Sequence, residues 1–186
     1  MGLFLKDIIL KGKTALVTGA TKGIGRGTAI ALAQAGANII AVGRNQAELD
    51  SLQKIIKKLK VKYYSFNCDV NDFELMKKYI SKIKKLDVLV NNAGTNIPEP
   101  FLNVKKSSVE TILNVNTKAV FNVAQLCANQ IIKLNKKGGS IINISSIFGI
   151  VAGQNRTVYS MSKFGVEGLT KGMALDLAKY NIRVNS

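Results

Sequence analysis

A tyrosine and a lysine stand four residues apart in the segment VYSMSKFG, at Tyr159 and Lys163. The chain contains no histidine, the side chain that most often carries protons near neutral pH. Residues four apart share one face of a helix, so the lysine ammonium would stand over the phenol. A neighbouring positive charge lowers the pKa of a phenol and suits it to exchange a proton with a carbonyl or alcohol oxygen. The alternative is an ordinary pair on a helix surface.

Three further polar residues could serve the same chemistry. Ser145 and Ser146 end the β-rich run GSIINISS, and either hydroxyl could hydrogen-bond the reacting oxygen. Asn116 lies within the apolar stretch LNVNTKAVF, where a buried amide requires a polar partner. This residue could hold a water molecule that links the lysine to solvent.

These residues need a framework, and short β-rich runs alternate with helical patterns along the chain. The predicted strands cover 14–19, 38–42, 63–67, 87–94 and 139–145, and a sixth begins in IRVNS. The predicted helices cover 24–35, a segment opening after Asn45, 72–84, a long segment from Ser107 to about Leu134, and 157–180. Parallel strands need crossover connections, so the alternation predicts an α/β fold with a doubly wound parallel sheet between two helical layers. We expect one domain over 1–186.

Local signals mark two helix starts and one loop. Asn45 with Glu48, and Ser107 with Glu110, have the spacing of capping boxes. The two prolines of the segment IPEP predict a loop after the fourth strand.

Ligands of open α/β sheets bind beyond the carboxyl ends of the strands, and unusual stretches cluster there in this chain. The first is TGATKGIG, where Gly19, Gly23 and Gly25 stand between a strand and a helix. Glycine lets the backbone approach a pyrophosphate closely, and the helix N-terminus supplies amide groups and positive potential. The alternative is a simple tight turn.

The second stretch, VGRN, ends the second strand. Dinucleotide-binding folds place an acidic residue near this point for the ribose hydroxyls of NAD, or an arginine for the 2′-phosphate of NADP. Here Gly43 and Arg44 stand without an acid, and Lys22 in the glycine loop adds a second cation. We therefore expect NADP(H) in preference to NAD(H). The alternative is that Arg44 caps a loop.

Two more stretches end the third and fourth strands. Asp69 in NCDV could accept a hydrogen bond from an adenine amine, or could simply be a turn acid. The amides of Asn91 and Asn92 in NNAG need partners, which neighbouring loop backbone can supply. Gly94 permits backbone close to a cofactor.

Composition narrows the classes of partner. The net charge is +16, from 27 basic and 11 acidic residues, which fits either an acidic partner or a lysine-rich solvated surface. Aromatic residues are not interleaved with arginine, so we expect no nucleic-acid partner. The alternative is a nucleic-acid binder that uses the positive charge. Two distant cysteines provide no disulfide framework and no metal spacing, which favours a cytoplasmic location and no metal site. The start, MGLFLKDIIL, is too short for the apolar region of a signal peptide and has no small-residue cleavage site, so we expect no signal peptide. No apolar run is long enough to span a membrane.

In combination and order, these motifs resemble the short-chain dehydrogenase/reductase family, of the type with a TGxxxGxG loop and a YxxxK pair. The motifs that match the family are TGATKGIG, CDV, NNAG, the asparagine of NVNTKAVF, NISSIFG and YSMSK. The resemblance runs from about Gly12 to the end. It implies an NADP(H)-dependent oxidoreductase that interconverts a carbonyl and a secondary alcohol by hydride transfer. The small-molecule substrate would be a 3-oxoacyl thioester on acyl carrier protein or a sugar acid such as a gluconate.

The resemblance also implies the site residues. The catalytic tetrad would be Asn116, Ser146, Tyr159 and Lys163, with Ser146 preferred because the family's serine usually stands thirteen residues before the tyrosine. In the family, the tyrosine is the acid and base, the lysine lowers its pKa and binds the nicotinamide ribose, and the serine orients the substrate. The implied cofactor-binding residues are Gly19, Thr21, Lys22, Gly23, Ile24, Gly25, Arg44, Asp69, Val70, Asn91, Ala93, Gly94, Tyr159 and Lys163.

Family members continue past NIRVNS into a Pro-Gly loop, substrate-lid helices and a seventh strand, which this chain lacks. We therefore expect a C-terminally truncated Rossmann-like fold, which is either a fragment of a longer protein or a truncated product. A truncated protein that binds NADP without catalysis is an alternative. The long helices that follow strands four and five pair subunits in the family, so a homodimer or homotetramer is expected.

Overall fold

The structure, a computed structural model, describes residues 10–134 and 138–186. The predictions for residues 1–9 at the start of the chain lie outside the described residues. The expectation of one domain over 1–186 includes residues 1–9 and 135–137, which are not described, and stays a prediction.

Six strands form one sheet in which every neighbouring pair is parallel. They are β1 Thr14–Thr18, β2 Asn38–Gly43, β3 Tyr63–Asn67, β4 Val88–Asn91, β5 Gly139–Asn143 and β6 Ile182–Asn185. The strand order is β3-β2-β1-β4-β5-β6, so the chain winds outward from β1 to one edge and then from β4 to the other. This confirms the doubly wound, Rossmann-like sheet and places a topological switch point between β1 and β4.

The α-helices are α1 Gly23–Gln34, α2 Gln46–Lys57, α3 Phe73–Ser81, α4 Lys106–Leu113, α5 Ala119–Leu134 and α6 Thr157–Leu177. A π-helical segment, Asn114–Lys118, joins α4 to α5 without a break. Short 3₁₀ turns cover Phe101–Asn103, Ile147–Gly149 and Ala178–Tyr180. The loop predicted around the prolines of IPEP lies between β4 and the first of these turns, as expected.

One predicted helix start is correct and the other is wrong. Asn45 caps α2 by accepting a hydrogen bond from the Glu48 amide at 3.1 Å. By contrast, α4 begins before Ser107, at Lys106, and its N-cap residue Lys105 makes no side-chain cap bond. The Glu99 carboxylate instead accepts from the Lys105 amide at 3.2 Å. A carboxylate from the preceding loop thus takes the place of the predicted capping box.

Three elements are shorter than predicted. Strands β4 and β5 end together at the register pair Asn91–Asn143, before the predicted ends at 94 and 145. Beyond that pair, the amides of Asn92 and Ala93 donate to the Thr18 hydroxyl at 2.9 and 3.0 Å, because the chain leaves the ladder to meet the glycine loop. Helix α3 likewise ends at Ser81, before the predicted end at 84.

The core lies on both faces of the sheet. One cluster joins Leu16 and Leu89 with residues of α3 and α5, including Met76 and Cys127. The other joins Val17 with residues of α1 and α2, including Ala29 and Leu52. Alternate residues of β1 thus pack into the clusters on the two faces of the sheet, and for this reason all five residues of the strand are buried. In the described residues, no helix is long and apolar enough to cross a membrane.

Candidate active site

A cleft of about 620 Å³ lies beside the switch point between β1 and β4. Ten of the predicted cofactor-binding residues line it: Gly19, Thr21, Lys22, Gly23, Ile24, Arg44, Asp69, Val70, Ala93 and Gly94. Asn92, Thr95, Thr111 and Val115 line it as well and were not predicted. The volume is typical of a ligand pocket, and the position is where open α/β sheets bind nucleotides.

The glycine loop needs its glycines for two separate reasons. Gly19 and Gly23 have φ of 61° and 54°, in the left-handed region that favours glycine. A Cβ on Gly25 would collide with the Asn92 amide and the Gly19 carbonyl, whereas one on Gly23 would meet nothing within 4 Å. Gly25 therefore brings α1 against the end of β4, and Gly23 keeps the backbone open.

The start of α1 suits an anionic ligand. In the described part of the chain, no side chain caps the first turn, and Lys22 stands at the N-cap position. Uncapped helix N-termini present amide groups and positive potential to phosphates. The cradle thus fits the pyrophosphate of a dinucleotide.

Thr18 and Asn92 join the glycine loop to the end of β4. The Asn92 side chain donates to the carbonyl oxygens of Thr18 and Gly19 at 3.0 and 3.2 Å. The Thr18 hydroxyl accepts from the amides of Asn92 and Ala93. The backbone partners expected for the Asn92 amide are thus found, whereas nothing in the sequence pattern pointed to Thr18.

Asn91 differs from the other predicted cofactor residues because its side chain points into the protein. It is 2% exposed and donates to Asn143 Oδ1 at 3.0 Å and to the Val120 carbonyl at 3.3 Å. Asn143 in turn donates to the Thr170 hydroxyl at 2.9 Å. This amide chain joins β4, β5 and α6 beneath the site, so any contact of Asn91 with a cofactor would use its backbone.

Arg44 and Asp69 form a long ion pair at the mouth of the cleft. Their closest atoms are 3.5 Å apart, and the Arg44 side chain is 78% exposed. The Asp69 carboxylate also accepts from the backbone amide of Asn71, two residues on, at 2.9 Å, which is the hydrogen bond of an Asx-turn. Behind them Gly43 packs on Thr21, and a Cβ there would overlap the threonine methyl. The guanidinium therefore stands in solvent beside the cleft and can still bind another anion.

Lys163 is buried under Tyr159, so the two do not form an ordinary surface pair. Lys163 is 4% exposed, and its Nζ donates to the Ile144 carbonyl at 2.7 Å. The same Nζ lies 5.8 Å from the centre of the Tyr159 ring. Burial lowers the pKa of Lys163. A Cβ built on Gly94 would lie 3.8 Å from Nζ, so the ammonium lies behind a glycine of the cleft lining, whereas Lys163 and Tyr159 do not themselves line the cleft.

Asn116 links the fourth strand's loop to helix α6. Its side chain is fully buried, accepts from the Thr95 amide at 2.8 Å and donates to the Thr95 carbonyl at 2.9 Å. It also donates to the Ser162 hydroxyl at 3.0 Å, which donates to the Tyr159 carbonyl at 2.6 Å. Both amide hydrogens are thus used by protein partners. The expected water link to Lys163 stays a prediction, and Ser162 is a neighbour that the sequence analysis missed.

The two adjacent serines have different surroundings. Ser146 is the N-cap residue of the 3₁₀ turn Ile147–Gly149, and its hydroxyl oxygen accepts from the Phe148 amide at 3.2 Å. The Phe148 ring meets the Tyr159 ring edge-on, with centroids 6.2 Å apart. The Ser145 Oγ is buried without a hydrogen-bond partner in the described residues, close to Gly149 and Glu167. The Glu167 carboxylate on α6 accepts from the Ser186 hydroxyl at 2.8 Å. The turn that carries Ser146 therefore packs on Tyr159, while Ser145 lies toward Glu167.

The described part of the chain contains no group of three or more acidic or cysteine side chains that could hold a metal ion. Cys68 and Cys127 are both buried free thiols. Burial raises the pKa of Cys68 to about 11 and raises that of Cys127 as well, so neither is a ready nucleophile.

Comparison with known proteins assigns the family. The family model for short chain dehydrogenases matches residues 13–186. The 3-oxoacyl-(acyl-carrier-protein) reductase of Thermotoga maritima is 42% identical over 181 residues, which cover 95% of this chain and 73% of the relative. L-xylulose reductase of Mesocricetus auratus is 41% identical over 180 residues, covering 97% of this chain and 72% of the relative.

A solved structure agrees with this assignment. The crystal structure of a short-chain type dehydrogenase/reductase from Mycobacterium marinum matches with a TM-score of 0.92 at 32% identity, covering 99% of this chain and 77% of that one. The chain belongs to the short-chain dehydrogenase/reductase family and is an enzyme of the oxidoreductase class. The family binds NAD or NADP and acts on small molecules.

Proposed function

We propose that this enzyme interconverts a carbonyl group and a secondary alcohol with NADP(H) bound in the cleft. One observation carries the proposal: the buried Lys163 ammonium lies beneath the Tyr159 ring and against Gly94 at the cleft wall. A buried ammonium beside a phenol is a proton-transfer pair that works without histidine.

Each residue of the proposed tetrad has a task that follows from its contacts. When bound, the nicotinamide supplies or accepts the hydride. Tyr159 gives a proton to the carbonyl oxygen or takes one from the alcohol, and the Ser146 hydroxyl orients that oxygen. Lys163 is held by the Ile144 carbonyl at 2.7 Å, so its charge stays fixed near Tyr159. Asn116 joins the loop after β4 to the first turns of α6 through its hydrogen bonds with Thr95 and Ser162.

The proposed preference for NADP(H) rests on charge at the cleft mouth. Strand β2 ends in Gly43 with no acidic residue to bind ribose hydroxyls, and Arg44 follows it directly. The guanidinium is largely exposed and only loosely paired with Asp69, so it can bind a 2′-phosphate in bidentate fashion. Lys22 adds a second exposed cation to the lining.

A cofactor titration tests this proposal. We expect the purified chain to bind NADPH more tightly than NADH, read from nicotinamide fluorescence, which the absence of tryptophan leaves clear. Arg44→Asp should weaken NADPH binding by roughly tenfold or more, because it replaces a phosphate partner with a like charge. Arg183→Asp on the exposed side of β6 makes the same charge change away from the cleft and should have little effect. Equal binding of both cofactors in the unmodified chain would contradict the preference.

The proposed substrate is a 3-oxoacyl thioester carried on acyl carrier protein. The similarity to the Thermotoga maritima reductase supports it, and the net charge of +16 suits an acidic carrier. A sugar, polyol or sugar acid is the second candidate, supported by the similarity to L-xylulose reductase. NADPH oxidation with acetoacetyl thioester, L-xylulose and a keto-gluconate compares them directly. Cofactor binding without turnover of any of the three would favour a non-catalytic NADP-binding protein.

We also place the enzyme in the cytoplasm as a homo-oligomer. Two free cysteines suit a reducing compartment. Large apolar side chains stand exposed on α5 and α6, with Phe121 at 47% and Phe164 at 48%, and pairing of these helices between subunits would cover them. Sedimentation of the purified chain checks the assembly, and a monomer at micromolar concentration would contradict it.

A further inference from the structure

A second cavity, of about 530 Å³, lies toward the opposite end of the strands from the cofactor cleft. It is bounded by the edge strand β3, the C-terminal end of α3 and the loop that leads into β4. Residues that precede strands line it, such as Lys62 before β3 and Lys85 before β4. The cofactor cleft lies instead where strands end, so the two sites do not overlap and share no lining residue.

The floor of this cavity is apolar and partly aromatic. Ile40 and Tyr64 are register partners on β2 and β3, so their side chains lie on one face of the sheet. Phe66 stacks on Tyr79 of α3, with ring centroids 4.6 Å apart and planes 9° from parallel. β3 is an edge strand of the sheet, and Tyr64 is 53% exposed. An exposed ring over an apolar floor is a surface on which another flat ring can stack.

The rim of the cavity carries four lysines: Lys62, Lys82, Lys84 and Lys85. Lys62 lies twenty residues before Lys82 in the sequence, and the fold brings it to the same cavity as the three lysines that follow α3. The lining contains no acidic residue. The ion pairs of the described residues are Lys13–Asp87 and Arg44–Asp69, so none of the four lysines pairs with a described carboxylate.

Internal hydrogen bonds hold the end of α3 and its following loop in place. Gln130 of α5 donates to the Ile83 carbonyl at 2.7 Å and to the Ser81 carbonyl at 3.5 Å. These bonds use carbonyl groups that would otherwise add negative potential at the helix end. The Asp87 carboxylate, which follows the lysine loop, is already bound to the Thr14 amide at 2.9 Å and to Lys13 at 3.2 Å.

We propose that this cavity binds a small aromatic anion, whose ring stacks on Tyr64 and the apolar floor and whose phosphate, sulfonate or carboxylate meets the lysine rim. The volume falls within the range of small-molecule sites, which are mostly apolar with a few convergent charged groups. Each lysine ammonium can offer up to three donors to such an anion. The site is independent of the proposed cofactor cleft and can be filled at the same time.

The probe for this site is 8-anilinonaphthalene-1-sulfonate, an aromatic sulfonate whose fluorescence rises on binding. It is titrated into the chain in the presence of excess NADP⁺, so that the cofactor cleft is blocked, and again without it. N-phenyl-1-naphthylamine, which has the same rings without the sulfonate, is the uncharged control ligand. We expect a binding phase that persists under NADP⁺ and that the uncharged ligand lacks.

Matched variants locate that phase. The triple change Lys62→Gln, Lys82→Gln and Lys84→Gln should weaken the sulfonate by roughly tenfold, as expected for the loss of several exposed charge contacts. Lys54→Gln, Lys105→Gln and Lys179→Gln remove the same charge from exposed positions that line neither cavity and should change affinity by less than about twofold. Tyr64→Thr, which keeps a strand-forming residue, should weaken both the sulfonate and any residual binding of the uncharged ligand.

Three results would overturn the proposal. They are an unchanged sulfonate affinity in the lysine-rim variant, equal losses in the two triple variants, or complete loss of the phase under NADP⁺. Because the site is read separately from cofactor binding, a chain that fails to bind NADPH could still pass this test.

Discussion

At the level of single residues, the proposed chemistry depends on a lysine that the fold buries, Lys163. Lys163 keeps one strong hydrogen bond, to the Ile144 carbonyl, and its charge faces the Tyr159 ring. The spacing of this pair is visible in the sequence, but a four-residue spacing fits an exposed helix face equally well. Burial by the end of β5 and the loop after β4 distinguishes the two, and that burial is a property of the tertiary structure.

The proposed proton transfer predicts a separation of binding from turnover. Tyr159→Phe removes the hydroxyl and keeps the ring that packs on Phe148, so the fold and NADPH affinity should persist. Turnover should fall by about 10²- to 10⁴-fold, the usual contribution of a general acid or base. Initial rates with the best substrate and a fluorescence titration with NADPH measure the two quantities. A variant that retains more than a tenth or so of the rate would exclude Tyr159 as the proton carrier.

The buried ammonium predicts a pH dependence of stability. Burial lowers the pKa of Lys163 below 10.5, its ordinary value. Between the lowered pKa and 10.5 the unfolded chain binds more protons, so the lysine's contribution to the free energy of unfolding rises with pH. Below that window both states are charged and the burial cost is fully present.

A variant that cannot titrate makes this effect visible. The stability difference between the unmodified chain and Lys163→Met should shift in favour of the unmodified chain as pH rises toward 10.5. Urea unfolding at several alkaline pH values measures it. Lys171→Met, at an exposed position of the same helix, should give a difference that varies much less with pH. The same flat profile for both variants would mean that Lys163 is solvated.

At the level of elements, the glycine loop and β4 depend on each other. The sequence predicted the loop from its glycines and its place between a strand and a helix. It did not show that Gly25 packs on the Asn92 amide, because that contact joins residues far apart in the chain. The wrong capping box at Ser107 has a similar origin, since Glu99 from a neighbouring loop serves the N-cap amide.

Two glycines in the first turns of α1 provide a matched test of this contact. Gly25→Ala should destabilise the chain by about 1–3 kcal/mol and weaken NADPH binding, because the new methyl group overlaps Asn92 and the Gly19 carbonyl. Gly27→Ala meets nothing within 4 Å and should stabilise the helix by about 0.5–1 kcal/mol. Urea unfolding of both variants gives the comparison. Equal stability of the two would show that α1 does not need close contact with β4.

The π-helical segment Asn114–Lys118 is another feature that sequence patterns do not reveal. Apolar residues predicted one long helix, and the structure contains one, but with a wider turn at Asn116. Such turns often occur at functional sites. Here it carries the amide that binds Thr95 and Ser162, so its position is set by two other elements.

At the level of the whole molecule, the net charge of +16 means that basic residues far outnumber the acidic residues that could pair with them. The described residues form two ion pairs, one of them as long as 3.5 Å. Like charges that are not paired repel one another in the compact state, and salt screens this repulsion over a shorter distance as its concentration rises.

Stability should therefore increase with ionic strength. We expect the thermal midpoint to rise by a few degrees between about 0.01 and 0.3 M sodium chloride, over which the screening length falls severalfold. Differential scanning fluorimetry in chloride measures it, since sulfate would also strengthen apolar burial. A midpoint that falls with salt would show that favourable charge pairs outweigh the repulsion.

The sequence by itself determined the sheet, the helices, the family and most of the residues around the cleft. These follow from local patterns: strand and helix periodicity, glycines at a strand-to-helix turn, and motifs in a fixed order. The tertiary structure decided which polar groups are buried and paired. It turned Asn91 inward, placed Asn92 against the glycine loop, buried Lys163, and gathered Lys62 with the lysines after α3. Burial and long-range contacts depend on how strands pair and helices pack, and no local window of the chain contains that information.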